Sequence, residues 1–181
     1  MEHKDTKTQR LFMLRAALCA FVSLCSIIFL LMLGACSMSD DDDDSGSSEV
    51  KEYVKVCDRV PIFSVDVVDA EGRTSVFSTA RLTGETVIVL FNTSCGDCRR
   101  ELPQLNAYYL AHRHDKGFQM VAIAREESAE SIAAYWQAQG FEIPYSPQPD
   151  RRIYNLFASS IIPRVYYCTA DGIVTRILIE G

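Results

Sequence analysis

The sequence predicts an α/β domain in which a mixed sheet is flanked by helices and preceded by a β-hairpin extension. Three observations carry that expectation. Two apolar runs, Thr86–Phe91 (TVIVLF) and Phe118–Ala124 (FQMVAIA), have the length and β-branched content of strands buried on both faces. Each is followed by a segment whose apolar residues recur at helical spacing. The chain then closes with Arg164–Thr169 and Ile173–Ile179 on either side of Asp171-Gly172, a hairpin signal. Strand, helix, strand, helix and a closing hairpin require parallel and antiparallel neighbours in one sheet.

Element by element, Val50–Val56 reads as a first strand or an N-terminal arm. Ile62–Val68 reads as a strand, Glu71-Gly72 as its turn and Arg73–Phe77 as the returning strand. After the loop Ala80–Gly84 and the strand Thr86–Phe91, a helix is expected over Cys95–Arg113. Leu102, Leu105, Tyr109 and His112 mark its apolar face, and Pro103 is expected to kink it. Gly117 ends that unit. Ser128 can cap a second helix running to Gln139, with Ile132, Tyr135 and Trp136 turned inward and Gly140 as its stop. A short strand over Ile143–Tyr145 and a short helix over Arg151–Phe157 complete the reading.

The 181 residues divide into three parts: a leader over 1–35, a tether over 36–49 and a folded domain over 50–181. Residues 16–33 (AALCAFVSLCSIIFLLML) carry no charge, follow a basic segment and end in Leu33-Gly34-Ala35-Cys36. That order is a secretory signal with small residues at its exit. An uncleaved membrane anchor is the rival reading, since 18 apolar residues are just long enough to span a bilayer. Either reading places the domain outside the cytoplasm and ties it to a membrane. The tether holds five consecutive aspartates, Asp40–Asp44, which repel one another and cannot pack. Of the net charge of −6, the domain carries only −2. Without a basic stripe, nucleic acid is excluded as a partner.

The chemistry concentrates in Phe91–Pro103 (FNTSCGDCRRELP), where Cys95 and Cys98 stand at the expected strand-to-helix junction. A zinc site is a poor fit, because no second cysteine pair or histidine cluster completes four ligands. A structural disulfide across so short a loop would restrain the unfolded chain little. A redox pair explains the placement. Cys95 at a helix N-terminus is favoured as a thiolate, and Cys98 one turn on lies within disulfide reach. Thiolate attack and resolution by the neighbour need no cofactor beyond the Cys95–Cys98 disulfide itself. Asp97, between the two, opposes the Cys95 thiolate and so tunes the pair toward a more stable disulfide.

From about Val60 to Ile179 the sequence resembles the thioredoxin-like fold, in particular the TlpA and ResA type of membrane-tethered thiol–disulfide oxidoreductase. CGDC followed by RRELP carries the resemblance. It implies that Glu101 handles protons, and that Ile162-Pro163 is a cis dipeptide facing the cysteines and holding the substrate chain. LGAC resembles the lipobox of bacterial lipoproteins, which implies lipidation of Cys36. A serine and an aspartate run just after that cysteine resemble a surface-export signal as well as a plain solvated tether. The address implied is a lipid anchor in the outer membrane, on its inner face with a plain tether or on its outer face with an export signal. There are departures from the pattern: Ser94 replaces the usual aromatic residue, Val89 stands six positions before Cys95, and no final helix follows Ile179.

The function expected is extracytoplasmic thiol–disulfide exchange, with reduction of protein disulfides the favoured direction. Its partners are protein or small-molecule thiols and disulfides, an upstream electron donor, and a membrane through lipid on Cys36. A thiol peroxidase is the second enzymatic reading; it needs threonine or serine where Asn92 stands and a proline upstream that is missing. A surface binding module without turnover is the non-enzymatic one. Cys57 and Cys168 are buried thiols or a second disulfide.

Overall fold

The computed structural model describes residues 50–179. The leader, the tether and Cys36 lie outside the described residues. Seven strands make one sheet: β1 (Ser64–Val68), β2 (Thr74–Ser78), β3 (Thr86–Phe91), β4 (Gln119–Ala124), β5 (Tyr145–Ser146), β6 (Arg164–Cys168) and β7 (Val174–Ile179), in the spatial order β2-β1-β5-β4-β3-β6-β7. β3 runs parallel to β4 and antiparallel to β6, so the sheet is mixed as expected. All six side chains of β3 are buried, which is why TVIVLF reads as one apolar run rather than an alternation. β1 and β2 pair antiparallel from Ser64↔Ser78 to Val68↔Thr74, and Asp69 closes their turn by accepting the Glu71 and Arg73 N–H groups.

Two helices, α1 (Gly96–His112) and α2 (Ala129–Gln139), lie side by side. Asn106 Oδ1 on α1 accepts the N–H groups of Glu142 (2.8 Å) and Ile143 (3.3 Å) just beyond α2, and Arg113 pairs with Glu142. Both helices cover the same face of the sheet. Trp136 of α2 meets Phe91 at 5.0 Å between ring centroids, and Tyr108 of α1 meets Tyr167 edge-on at 6.1 Å. Tyr167 is opposite Val87 in the β3–β6 register and so shares its face with Val87, Val89 and Phe91. Burying each large apolar side chain of this layer contributes about 1.5–3 kcal/mol. α2 begins at Ser128, whose side chain accepts from Ser131 N–H, and ends at Gly140 in the left-handed region (φ 66°). α1 continues through Pro103, and Cys98, Leu102, Leu105 and Asn106 are its buried residues.

The opposite face is covered by irregular chain. Residues 50–63 form an arm, not a strand: they contribute only the isolated bridges Glu52↔Ala158 and Arg59↔Ile173. Tyr53 N–H donates to Phe157 O (2.9 Å), and Phe63, Phe157 and Tyr166 stack in series at 5.9 and 4.8 Å. The helix expected over Arg151–Phe157 is reduced to a single 3-10 turn, Tyr154–Leu156. Leu156 N–H to Ile153 O and Phe157 N–H to Tyr154 O are i→i−3 bonds, flanked by the i→i−4 bonds of Asn155 N–H to Arg151 O and Ala158 N–H to Tyr154 O. Ile153, Tyr154 and Phe157 are all buried in the core.

Candidate functional site: a cysteine pair facing a proline loop

The central strand β3 ends at Phe91, and the next four residues are shaped by their own side chains and by Glu127. Asn92 Oδ1 accepts the Ser94 N–H (2.8 Å) in an Asx turn, while Asn92 Nδ2 donates to Arg125 O (2.8 Å) at the end of β4. Cys95 is the N-cap of α1, and its sulfur accepts the Cys98 N–H at 3.4 Å. The helix N-terminus thus points a free N–H at the Cys95 sulfur, as expected for a nucleophilic thiol. Cys95 is half-buried and Cys98 wholly buried; both are free thiols here. Burial pushes the Cys98 thiol well above its ordinary value, the hydrogen bond and charge of Cys95 adding to it. The Asn92 backbone and the Arg125 charge act in the other direction.

The Ile162–Pro163 peptide is cis. Its loop faces the cysteines: the Cys95 thiol donates to Ile162 O at 3.5 Å, although the two are 67 positions apart. Glu101 sits one turn after Cys98, half-buried, accepting from Gln104 Nε2 at 3.5 Å. It lies close enough to β6 for its charge to help raise the Tyr167 hydroxyl, which burial raises first. Asp97 is held in an ion pair by Arg100. Cys57 is exposed and Cys168 buried, and both are free, so they form no second disulfide. Among the described residues no cluster of three or more His, Cys, Asp or Glu is placed to hold a metal ion.

Three residues that sequence reasoning passed over complete the site. Glu127 is buried yet carries a carboxylate. It accepts the Thr93 N–H (2.8 Å), the Thr93 hydroxyl and the Ser131 hydroxyl (2.7 Å), so it ties the loop before Cys95 to the first turn of α2. Arg125 spreads its guanidinium over the Tyr154 ring at 5.0 Å, with Nε buried and without a hydrogen-bond partner. Arg164, directly after Pro163, is wholly buried and reaches Glu52 of the arm at 3.2 Å. A charged residue one to three positions after an apolar strand is the usual mark of a loop, which is why Arg125 and Glu127 gave no signal.

A central sheet with a cysteine pair at the strand-to-helix turn and a cis-proline loop opposite is the thioredoxin-like fold. The chain belongs to the AhpC/TSA family, whose sequence pattern matches residues 56–177. Among solved structures it is similar to a candidate protein disulfide isomerase from Bacteroides thetaiotaomicron, with 20% identity and a TM-score of 0.64 over 71% of this chain and 80% of that one. A thiol:disulfide interchange protein of the thioredoxin family from Chlorobium tepidum matches with 25% identity and a TM-score of 0.56, over 68% of this chain and 86% of its own. A secreted Mycobacterium tuberculosis disulfide oxidoreductase, described as homologous to E. coli DsbE, matches at 17% and 0.54, over 64% and 83%. Comparison with curated proteins finds no match.

Proposed function

We propose that this protein is a membrane-tethered, extracytoplasmic thiol–disulfide oxidoreductase of the TlpA and ResA type that reduces protein disulfides through Cys95 and Cys98. The single observation that carries the reading is the contact between the two loops: a half-exposed N-cap thiol, with a buried thiol one turn behind it, faces the carbonyl before a cis-proline at 3.5 Å. Several solved neighbours bear names of thiol–disulfide enzymes, one of them described as secreted. The leader ending in LGAC supports a lipid on Cys36 and an outer-membrane address, with Asp40–Asp44 as tether or export signal. Among the described residues no helix is long and apolar enough to cross a membrane.

The steps follow from the geometry. The Cys95 thiolate attacks one sulfur of a substrate disulfide; that S–S bond breaks, a mixed disulfide forms, and one substrate thiolate leaves to take up a proton. Cys98 then loses its proton and attacks Cys95 Sγ. The Cys95–Cys98 disulfide forms and the second substrate thiolate is released, so two electrons pass to the substrate. A dithiol donor returns the pair to its reduced state. Burial opposes the Cys98 thiolate, so the second step needs a proton acceptor, and Glu101 one turn on is the residue for it. A couple whose buried thiol resists ionisation also favours its disulfide, which makes the reduced protein a donor of electrons rather than an oxidant. Ile162 and Pro163 hold the substrate chain against Cys95.

The test is the reduction potential of the pair in defined dithiol buffers. A value near about −270 mV marks a reductase and one near about −120 mV an oxidant. A pair that does not cycle refutes the enzyme and leaves a binding module. The family match gives the peroxidase a specific claim as second reading. Against it, the side-chain oxygen of Asn92 is committed to Ser94 rather than offered to Cys95. Steady turnover of hydrogen peroxide faster than of protein disulfides would reverse that preference.

A further inference from the structure

We propose that Arg164 is a positioning residue for the loop that receives the substrate chain, and that Glu52 at the root of the N-terminal arm holds Arg164 in its working orientation. The inference rests on the reading of Cys95 and Cys98 as a protein-disulfide exchanger and adds to it the groups that shape its substrate surface.

Arg164 is wholly buried and heads the largest side chains in the core, an expensive place for a charge. Its guanidinium is spent on the proline loop. Nε donates to Ser160 O and Ile161 O, both at 3.1 Å, and Nη2 donates again to Ser160 O at 2.9 Å. Nη1 turns the other way, to Glu52 Oε1 at 3.2 Å, across 112 positions of chain. Two consecutive carbonyls are therefore drawn inward to one planar fork. The next carbonyl, Ile162 O, is the one that faces Cys95.

The backbone shows what the fork opposes. Ile161 has φ of 70°, a left-handed conformation that a β-branched residue adopts only when its surroundings impose it. Both groups that impose it act on the same oxygen: Arg164 Nε, and the Tyr154 hydroxyl at 2.8 Å. A plain filler of this space would be an apolar side chain with no desolvation cost. Only a guanidinium supplies a rigid fork for two carbonyls and a third donor for a carboxylate. A protein substrate must lie across this loop to bring its disulfide to Cys95. A small aromatic disulfide needs only the exposed part of Cys95. Loss of the fork is therefore felt by the first and not by the second.

The experiment compares the full-length wild type with Arg164→Met, Arg164→Lys and Glu52→Gln. It reads kcat and KM with insulin and with the small disulfide DTNB, together with the reduction potential of the pair. For Arg164→Met the KM for insulin is expected to rise about tenfold, the equivalent of one lost hydrogen bond to a charged group. DTNB turnover and the potential stay at wild-type values. Arg164→Lys falls between, and Glu52→Gln shows the same split with a smaller rise. Equal losses on both substrates, or no change on either, overturn the inference. If Arg164→Met loses its melting transition, Glu52→Gln, whose side chain is 37% exposed, carries the test by the same criterion. A wild type that turns over neither substrate refutes the redox reading itself, whatever the variants do.

Discussion

Two loops meet at Cys95, and different groups hold each of them. The loop from Asn92 to Cys98 combines an Asx turn and a helix N-cap of its own with bonds to groups 33 and 34 positions on, from Asn92 to the end of β4 and from Thr93 to Glu127. The loop from Ser159 to Pro163 is held by side chains just outside it and, through Ser159 and Glu52, by the distant arm. Tyr154 reaches Ile161 O from the 3-10 turn, and Arg164 binds Ser160 and Ile161 while Glu52 of the arm anchors it. The first loop holds the thiols that would do the chemistry; the second presents the surface a substrate would lie against. On the proposed function, reactivity would rest on the first loop and recognition on the second. Damage to the first should change rates with every substrate, and damage to the second should change which substrates are accepted.

The hardest test of that division is removal of the nucleophile. Cys95→Ser should bring insulin reduction to the uncatalysed rate, whereas Cys98→Ser should stall as a mixed disulfide visible by mass spectrometry. Residual catalysis in Cys95→Ser would move the chemistry to another thiol. Next in size, Glu101→Gln should slow turnover by roughly 10–100-fold at neutral pH, in the range of a lost acid–base group. Unchanged rates across pH 6–9 would leave Glu101 an ordinary surface carboxylate.

Glu127 tests how far the first loop depends on anything beyond its own residues. Glu127→Ala leaves the Thr93 N–H and two hydroxyls without their acceptor. It should cost about 2–3 kcal/mol, seen as a melting point lower by roughly 5–10 °C. An unaltered melt would mean that water replaces the carboxylate. Cys168, outside both loops, serves as the control for alkaline behaviour. Burial raises its thiol from 9.0 to about 12. The neutral thiol is thus favoured by folding, and that stability is complete below pH 9 and lost as pH climbs toward 12. Thermal scans of Cys168→Val should show a shallower decline above pH 9 than the wild type, with Cys98 and the raised tyrosines, Tyr108 and Tyr166 foremost, supplying the slope that remains. The smallest effect belongs to the exposed Asp97–Arg100 pair. Arg100→Ala should move the reduction potential by less than about 20 mV, since an exposed ion pair is worth no more than about 1 kcal/mol. A larger shift would give Asp97 the tuning role that its position between the cysteines suggests.

The sequence by itself determined the strands, both helices with their caps, and the position of the cysteine pair at the end of β3. Each is written in short-range terms: TVIVLF is apolar throughout because it is buried on both faces, and Ser128 and Gly140 bracket α2 because caps act within one turn. Where short-range signals were weak or misleading, tertiary structure decided. The helix expected over Arg151–Phe157 is a single turn, with Ile153, Tyr154 and Phe157 buried in the core. The segment 50–56, a strand or an arm by its sequence, is an arm: its one bridge is Glu52↔Ala158, and the chain touches the edge strand β7 only around Cys57–Arg59. Arg164 read as the first residue of an ordinary strand, Glu127 as loop polarity and Glu52 as part of a charged arm. Each became part of the site only when the fold carried it beside groups 34 to 112 positions away. A buried charge is tolerated only where partners meet it, and in this chain the partners come from across the molecule.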